Sequence, residues 1–264
     1  MKEEAFIKVK ESLGKYLHNS LEYTEFDDIA DYELLIENEE LILISGFNGE
    51  ADSKHYHWAT VSPQKVIEAI GEERNFYLEF IPEEWVDIFT QAGYIVRDKF
   101  RDYLKADLLD INNEHSHAEF LQVEESLKAA EVTMSCKGQS RGFTGQTQGW
   151  IEEWITKTED IVHKEIVIER NEQKEIVGVC FTGVYGINSQ KGPVAWIREV
   201  AVNPDYQKKG IGRRLIKQAL SHGKSHGAVR AFLAADECNV NAIHLYKSLG
   251  FQPDADTQID IMRE

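Results

Sequence analysis

The spacing of apolar and polar residues along the first 110 positions predicts a mixed α/β unit. Helical periodicity covers residues 6–17, 62–70 and 83–92, and strand-like stretches cover 32–37, 40–47, 55–61, 75–81 and 94–108. Ser62 and Pro63 form a typical helix start, because proline at the first helical position removes no internal hydrogen bond. From residue 55 onward, the predicted order of elements is β-α-β-α-β.

The remaining residues predict a second unit of the same class. Polar, turn-rich residues at 109–116 indicate a domain boundary, so we expect domains at 1–110 and 111–264. A helix is predicted at 117–130, followed by a glycine-rich loop at 138–149. Thr147 can cap a further helix that carries Trp150 and Trp154 on one face. Stretches 165–170 and 175–185 then predict a β-hairpin.

A strand, a glycine-bearing loop and a helix at 196–220 form the most informative segment of the chain. The strand ends at the turn residues 203–205, and apolar residues recur at helical spacing from Ile211 onward. Amides in the first turn of a helix have no internal partner, and the helix dipole adds partial positive charge there. Gly210 and Gly212 leave room for a diphosphate to approach these amides. We therefore expect this loop to bind phosphate.

The charge distribution agrees with a phosphate site but argues against nucleic acid. The chain has a formal net charge of -17, whereas binding nucleic acid depends on neutralising phosphates with lysine and arginine. Residues 1–110 contain 11 basic and 25 acidic residues, but residues 191–230 contain 9 basic and 2 acidic ones. The one basic segment thus coincides with the proposed phosphate loop.

Composition also limits the class of protein. No apolar run approaches the roughly 20 residues that span a bilayer, and the charged N-terminus is unlike a signal peptide. The three cysteines are scattered and have neither zinc-binding nor disulfide-framework spacing. From these features we expect a cytoplasmic protein without a membrane partner, either a monomer or a homodimer.

Two motifs in the C-terminal half carry a resemblance to a known family. The first is Gln207-Lys208-Lys209-Gly210-Ile211-Gly212-Arg213, and the second runs from Asn239 through Ala242 and Tyr246 to Gly250-Phe251. Together they resemble the acetyl-CoA loop and the second signature of the GNAT superfamily of N-acetyltransferases, over roughly residues 115–264. The resemblance implies an α/β fold of the acyl-CoA N-acyltransferase type, with a mixed central sheet flanked by helices. It also implies acetyl-CoA as co-substrate.

The N-terminal domain contains a fainter copy of the second motif. Residues 85–94 align without a gap on residues 242–251, and each piece is a short helix that ends at glycine before an aromatic residue. Phe89 takes the place of Tyr246, and no Gly-x-Gly follows the strand at 55–61. We therefore expect tandem domains, of which the first is degenerate, does not use acetyl-CoA and has a structural or substrate-cleft role. A coincidental helix-glycine-aromatic junction is the alternative.

The resemblance assigns roles to residues. It implies that Val200, Ala201 and Val202 hold the pantetheine arm through their backbone and that the amide of Val200 polarises the thioester carbonyl. It implies that residues 207–213 bind the diphosphate and that Asn239 hydrogen-bonds the cofactor. Tyr246 would protonate the departing thiolate, with a purely structural tyrosine as the alternative. The residues assigned to the cofactor are Val200, Ala201, Val202, Gln207, Lys208, Lys209, Gly210, Ile211, Gly212, Arg213, Asn239 and Tyr246.

The general base is less clearly defined. Some family members have a glutamate where this chain has Ala234, so Glu199 beside the cofactor strand is the candidate. Two alternatives remain: Glu199 serves only as an ion-pair partner for Arg198 or Arg230, or ordered water acts as the base. Trp150 and Trp154 are candidate acceptor-site residues, with simple core packing as the alternative.

We expect the acceptor to be a primary amine of a small molecule or peptide, and the acidic protein favours a cation. Acetylation of a protein N-terminus, as in ribosomal-type enzymes, is an alternative in the same class. A non-catalytic acetyl-CoA sensor or scaffold is an alternative in another class.

Other motifs carry less weight. Gly223-Lys224-Ser225 lacks the upstream glycine of a P-loop. The histidine pairs 55/57, 115/117 and 222/226 have no third ligand nearby in sequence, and Gly223 is predicted to break the helix between the last two. We therefore expect no metal site.

Overall fold

The computed structural model describes residues 1–22, 24–49, 51–111, 118–141, 143–157 and 161–264. The chain forms two compact units: Met1–Phe100 with Thr257–Glu264, and Arg101–Asp256. The predicted boundary at residue 110 therefore differs from the observed division, and the last eight residues join the first unit. Residues 112–117, which include the His115/His117 pair, lie outside the described residues. Within the described residues, no helix is long and apolar enough to cross a bilayer.

The first unit contains the elements predicted from its sequence. Its helices are α1 (Glu3–Ser12), α2 (Phe26–Ile29), α3 (Pro63–Ile70) and α4 (Val86–Gln91). Its strands are β1 (His18–Asn19), β2 (Glu33–Glu37), β3 (Leu41–Asn48), β4 (Ser53–Thr60) and β5 (Phe76–Leu78), with part of β6 (Ile95–Lys105) and of β12 (Gln252–Arg263). Ser62 is the N-cap residue of α3 and Pro63 its first residue, as predicted.

The sheet of the first unit is mixed and has a core on each face. Strands β2, β3 and β4 pair antiparallel, β4 and β5 pair parallel, and β12 pairs antiparallel with β5. One face packs on α3 and α4 through residues such as Trp58 and Phe89, and the other packs on α1 and α2 through residues such as Val9 and Ile44. The predicted mixed sheet flanked by helices is confirmed.

The second unit continues with β7 (Glu119–Phe120), α5 (Ser126–Ser135), α6 (Gln148–Thr156), β8 (Val162–Arg170), β9 (Ile176–Tyr185), β10 (Val194–Val202), α7 (Ile211–Ser225), β11 (Arg230–Asp236) and α8 (Val240–Ser248). The helix predicted at 117–130 begins later than expected. Phe120 lies in a short strand that pairs with β8, and a single 3₁₀ turn at Val123–Glu125 precedes α5.

The sheet of the second unit also separates two cores. Strands β8, β9 and β10 pair antiparallel, and β10 pairs parallel with β11. One face packs on α7 and α8, with residues such as Leu215 and Tyr246, and we call it the α7 face. The other packs on α5 and α6, with residues such as Trp154 and Phe181, and we call it the α5–α6 face.

Helix α7 corrects one prediction. Gly223 does not break the helix, which continues to Ser225, and the rings of His222 and His226 lie 4.4 Å apart. A Cβ atom at Gly223 would lie 2.4 Å from the Cβ of Ala195. The glycine therefore allows the helix to approach β10 closely, and this packing outweighs its low helix propensity.

Candidate active site

Strands β10 and β11 are paired at their beginnings and not further along. Their ladder joins Val194, Ala195 and Trp196 to Arg230, Ala231 and Phe232. Within the described residues no pair follows, although β10 continues to Val202. On its other side β10 stays paired with β9 throughout, with a register shift between Ile197 and Glu199. The edge of β10 that contains Val200, Ala201 and Val202 can therefore receive an extended ligand as an added strand.

The loop after β10 has the backbone geometry of an anion site. Lys208 and Gly210 both have positive φ angles, +60° and +79°. Gly210 is the N-cap residue of α7, so the first-turn amides of this helix begin at Ile211. Positive φ is easy for glycine and strained for other residues. The conformation of Gly210 thus explains why the motif requires glycine at this position.

The cations around the loop are not equivalent. Within the described residues, the exposed Lys208 has no carboxylate partner. The ammonium of Lys209 donates to the carbonyl of Asp205 at 3.0 Å, and Arg213 donates to Ser248 Oγ at 2.5 Å. Arg214 instead pairs with Glu169 through two hydrogen bonds of 3.0 Å. Lys208 is therefore the cation most available to a diphosphate, because Lys209 and Arg213 each already donate a hydrogen bond within the protein.

Two further members of the motif also have structural roles. Gln207 Nε2 donates to the carbonyl of Val202 at 2.9 Å and to Gln139 Oε1 at 2.8 Å. A Cβ atom at Gly212 would lie 3.3 Å from Leu245 Cδ2, so this glycine also allows α7 to pack closely on α8. The loop is thus fixed to the end of β10 and to the second helix of the motif.

Glu199 lies on the α5–α6 face and is 8% exposed. Its Oε2 accepts a hydrogen bond of 2.7 Å from Gln146 Nε2 and lies 3.4 Å from Arg198 Nη1. Its Oε1 is buried without a hydrogen-bond partner. Burial raises the pKa of the carboxyl, while Gln146 and Arg198 act in the opposite direction. The result is a carboxylate with one oxygen anchored and one available, as a general base requires.

Tyr246 lies on the α7 face, where α8 covers the sheet. It is 9% exposed and has the rings of Tyr103 and Phe251 at 6.4 Å. Burial, with a smaller effect from Cys180, raises the pKa of its hydroxyl. The hydroxyl therefore stays protonated at neutral pH and can act as a proton donor.

Asn239 has a structural role whether or not it binds a ligand. It is the N-cap residue of α8, and its side chain accepts from the amide of Ala242 at 3.4 Å. An asparagine cap satisfies an amide that the helix itself leaves free. The predicted contact of Asn239 with a cofactor stays a prediction.

The two candidate acceptor-site tryptophans differ in burial. Thr147 caps α6 as predicted and accepts from the amide of Trp150 at 3.2 Å. Trp150 is partly buried, whereas Trp154 is 7% exposed and its Nε1 has no hydrogen-bond partner. The guanidinium of Arg198 lies 4.2 Å from the Trp150 ring centre and 5.6 Å from that of Trp154. Both rings therefore contact the guanidinium of Arg198, which in turn lies beside Glu199.

The loop between α5 and α6 contributes residues that the sequence did not single out. Besides Gln146 on Glu199, Arg141 Nε donates to both oxygens of Asp236 at the end of β11, at 3.1 and 3.2 Å. This bifurcated, charge-assisted hydrogen bond ties the loop to the end of β11. The sequence signal was only a glycine-rich loop, which does not say which of its polar residues turn toward the sheet.

Three histidines of this unit, His163, His222 and His226, lie close together. In the part of the chain that the structure describes, no group of three or more His, Cys, Asp or Glu side chains is arranged to hold a metal ion. The rings of His163 and His226 stack at 4.3 Å, and His222 Nε2 lies 2.9 Å from the carbonyl of His163. These histidines pack against one another and against the chain.

Comparison with known proteins bears on this site. The model of the acetyltransferase (GNAT) family matches residues 133–251. A mycothiol acetyltransferase of Thermobispora bispora is 36% identical over 77 residues, which are 29% of this chain and 26% of that protein. A ribosomal protein bS18-alanine N-acetyltransferase of Salmonella typhimurium is 39% identical over 57 residues, 22% of this chain and 38% of that protein. The chain thus spans well under half the length of these relatives.

Two solved structures share the fold over nearly the whole chain. A functionally unknown conserved protein from Staphylococcus epidermidis has a TM-score of 0.55 at 15% identity, covering 93% of this chain and 99% of that one. A GCN5-related N-acetyltransferase from Sphaerobacter thermophilus has a TM-score of 0.53 at 15% identity, covering 97% of this chain and 88% of that one. Matches that include the first unit agree with the tandem fold predicted from the sequence. The family model and the two motifs show that residues 133–251 form a domain of the acetyltransferase (GNAT) family, and the solved structures show the fold alone.

Proposed function

We propose that this protein transfers the acetyl group of acetyl-CoA to a primary amine. The observation that carries the proposal is the unpaired edge of β10, which ends at the positive-φ loop of Lys208 and Gly210. An extended arm along this edge would bring its diphosphate to the start of α7. The adjoining carboxylate of Glu199 has one buried oxygen without a partner.

Acetyl-CoA supplies the acetyl group as a thioester. The Glu199 carboxylate takes a proton from the acceptor ammonium, directly or through one water, and so frees the nitrogen lone pair. The backbone amide of Val200 donates to the thioester oxygen as negative charge develops there. The neutral amine attacks the carbonyl carbon, so that a carbon–nitrogen bond forms and the carbon–sulfur bond breaks. The Tyr246 hydroxyl gives its proton to the departing thiolate, and the second proton of the acylated nitrogen passes to the resulting phenolate, directly or through water. Glu199 releases its proton to solvent, which restores both side chains.

The surroundings of these groups suit their roles. The raised pKa of Glu199 makes it a stronger base than an exposed glutamate, and Gln146 anchors its second oxygen. Tyr246 is protonated because burial disfavours its phenolate. Glu199 and Tyr246 lie on opposite faces of the sheet, so we infer that both reach the acetyl group where β10 and β11 are unpaired.

The test is release of CoA by the full chain with acetyl-CoA and a panel of primary amines, with the N-acetylated product identified by mass. Glu199→Gln should lower kcat/KM by roughly 10²–10⁴-fold, as expected for a general base. Glu153→Gln, at an exposed position on α6, should leave it unchanged. Tight acetyl-CoA binding without an acetylated product from any amine would favour the sensor alternative. Activity confined to protein N-termini would favour the ribosomal-type alternative.

A further inference from the structure

Five aromatic rings form a continuous surface on the α5–α6 face, and we call it the aromatic wall. Its members are Trp150, Trp154, Trp196, Phe232 and Tyr185. Ring centres lie 5.6 Å apart between Trp150 and Trp154 and 6.0 Å apart between Trp154 and Trp196. Trp196 stacks on Phe232 at 6.3 Å, with only 10° between the ring planes. The Tyr185 ring is nearly perpendicular to both of these rings, with ring centres 6.5 and 6.1 Å away.

The outer part of the wall is accessible. Trp196, Phe232 and Tyr185 are each only partly buried. Trp196 and Phe232 face each other in the last pair of the β10–β11 ladder, directly before the strands become unpaired. The stacked pair therefore borders the opening where the proposed acetyl transfer takes place. Glu199 follows Trp196 by three residues on the same strand, a separation of roughly 10 Å along an extended chain.

Two buried polar atoms at the inner end of the wall have no hydrogen-bond partner. They are Oε1 of Glu199, an acceptor, and Nε1 of Trp154, a donor. Each side chain is more than nine-tenths buried. Buried polar atoms in proteins are rarely left unbonded, because desolvation without a hydrogen bond is costly. A ligand that brings an ammonium to Glu199 would satisfy the acceptor.

The charges around the wall argue against a polyamine. Arg198 lies over Trp150 and Trp154, and the ammonium of Lys164 lies 5.1 Å from the Trp154 ring centre. Arg230 begins β11, next to the stacked pair. Among the described residues, a ligand with several positive charges would meet these three cations and only two carboxylates, Glu199 and Asp102, the second of which acts on Tyr185. An acceptor with a single ammonium and an uncharged planar body avoids this repulsion.

We propose that the acceptor is an arylalkylamine, a primary amine joined by a short alkyl chain to an aromatic ring that packs on Trp196 and Phe232. This inference rests on the proposed acetyl transfer. The ammonium is held at Glu199, and the flat ring extends the stack that the wall begins. Stacking on an aromatic face contributes beyond the burial of apolar area, so a planar ring is favoured over an aliphatic ring of similar size.

The test compares kcat/KM for phenylethylamine, cyclohexylethylamine, butylamine and spermidine with the full-length wild type. The kcat/KM for phenylethylamine should exceed that for cyclohexylethylamine by roughly threefold to tenfold, which is what an aromatic pair contributes in addition to burial of its area. It should exceed that for butylamine by on the order of tenfold or more, and spermidine should be the poorest acceptor. Trp196→Leu and Phe232→Leu should bring the phenyl-to-cyclohexyl ratio close to one. Phe47→Leu removes an exposed ring elsewhere and should leave that ratio unchanged.

The outcomes separate this inference from the function on which it rests. Because the ratio is measured on one enzyme preparation, a fall in folded protein cancels. Equal turnover of all amines, or a preference for spermidine, would overturn the arylalkylamine assignment and leave acetyl transfer standing. An unchanged ratio in both leucine variants would also overturn it. Failure to acetylate any amine while acetyl-CoA still binds would remove the proposed function itself.

Discussion

The two units make the same turn from strand to helix in different ways. In the first, only Val61 and Ser62 separate β4 from α3, and Pro63 has no amide hydrogen to offer a ligand. In the second, the chain runs from Asn203 to Gly210 before α7 begins, with two residues at positive φ. The connection in the first unit is as short as possible, whereas the longer connection in the second unit leaves the start of α7 open to an anion.

A second junction is almost the same in both units. Gly93 and Gly250 end α4 and α8 with φ angles of +86° and +88°. The amide of the next residue bonds back to Phe89 at 3.0 Å in one unit and to Tyr246 at 3.2 Å in the other. The backbone is thus preserved where the side-chain chemistry is lost. At these two junctions, the second unit differs from the first by one hydroxyl and one loop.

The largest effect is expected from Tyr246→Phe, which gives the second unit the residue of the first. The ring and its packing remain, and only the hydroxyl is lost. If it protonates the thiolate, kcat should fall by roughly 10²–10⁴-fold while acetyl-CoA affinity changes little. Phe89→Tyr is the reciprocal control and should add no activity. Unchanged kcat with a lower melting temperature would make Tyr246 a packing residue.

A smaller effect is expected from Gln146→Leu, which removes the hydrogen bond that anchors Glu199. That bond lowers the pKa of the carboxyl, so its loss should raise the pKa further. A general base works only when deprotonated, so the acidic limb of the kcat/KM profile should move to higher pH. Gln148→Leu, at an exposed position bonded to Glu152, is the matched control. A limb that does not move would mean that another group is the base.

The sheet face that is aromatic in the second unit is rich in titratable groups in the first. On β4, burial lowers the pKa of His55 to about 2 and that of His57 to about 4. Both histidines are therefore neutral when folded but take up protons below about pH 6.5 when unfolded. Their stabilising effect is present above that pH and is lost as the pH falls toward the folded values.

His55→Gln should make the free energy of unfolding less dependent on pH below about pH 6.5. Between about pH 6 and about pH 5, the wild type should lose about 1 kcal/mol per pH unit more than the variant. Burial also raises the pKa of Glu79 to about 7 and of Asp260 to about 9. These two acids affect stability in the opposite direction, because their contribution to the free energy of unfolding is lost as the pH rises. Both proteins carry these acids, and Glu79 Oε2 lies 3.6 Å from His55 Nε2, so the difference reports His55 together with its contact to Glu79. Parallel curves of unfolding free energy against pH would contradict the buried, neutral state of His55.

The sequence predicted those parts of the fold that local chemistry determines. Positive φ requires glycine at Gly210 and Gly250, and a proline start and a threonine cap mark α3 and α6. The sequence did not predict the features that depend on long-range packing. Gly223 stays helical because α7 lies against Ala195, which no local pattern reveals.

The candidate site also contains some residues that local motifs predict and others that only folding brings together. The predicted phosphate loop and Tyr246 belong to contiguous motifs, so the sequence alone could single them out as candidates. Gln146 reaches Glu199 across 53 positions of the chain, and the aromatic wall joins residues from α6 and three strands. Such sets exist only after folding brings distant segments together, so a single sequence does not reveal them.

The central claim is that the second unit alone has the loop for acetyl-CoA, and titration calorimetry tests it most directly. The full-length wild type should bind one acetyl-CoA per chain. Gly210→Asp places a strained, negatively charged residue where the diphosphate approaches, and it should abolish most of this binding. Gly71→Asp, at a positive-φ glycine that ends α3, is the control and should still bind one. Two sites in the wild type, or unchanged affinity in Gly210→Asp, would contradict the account.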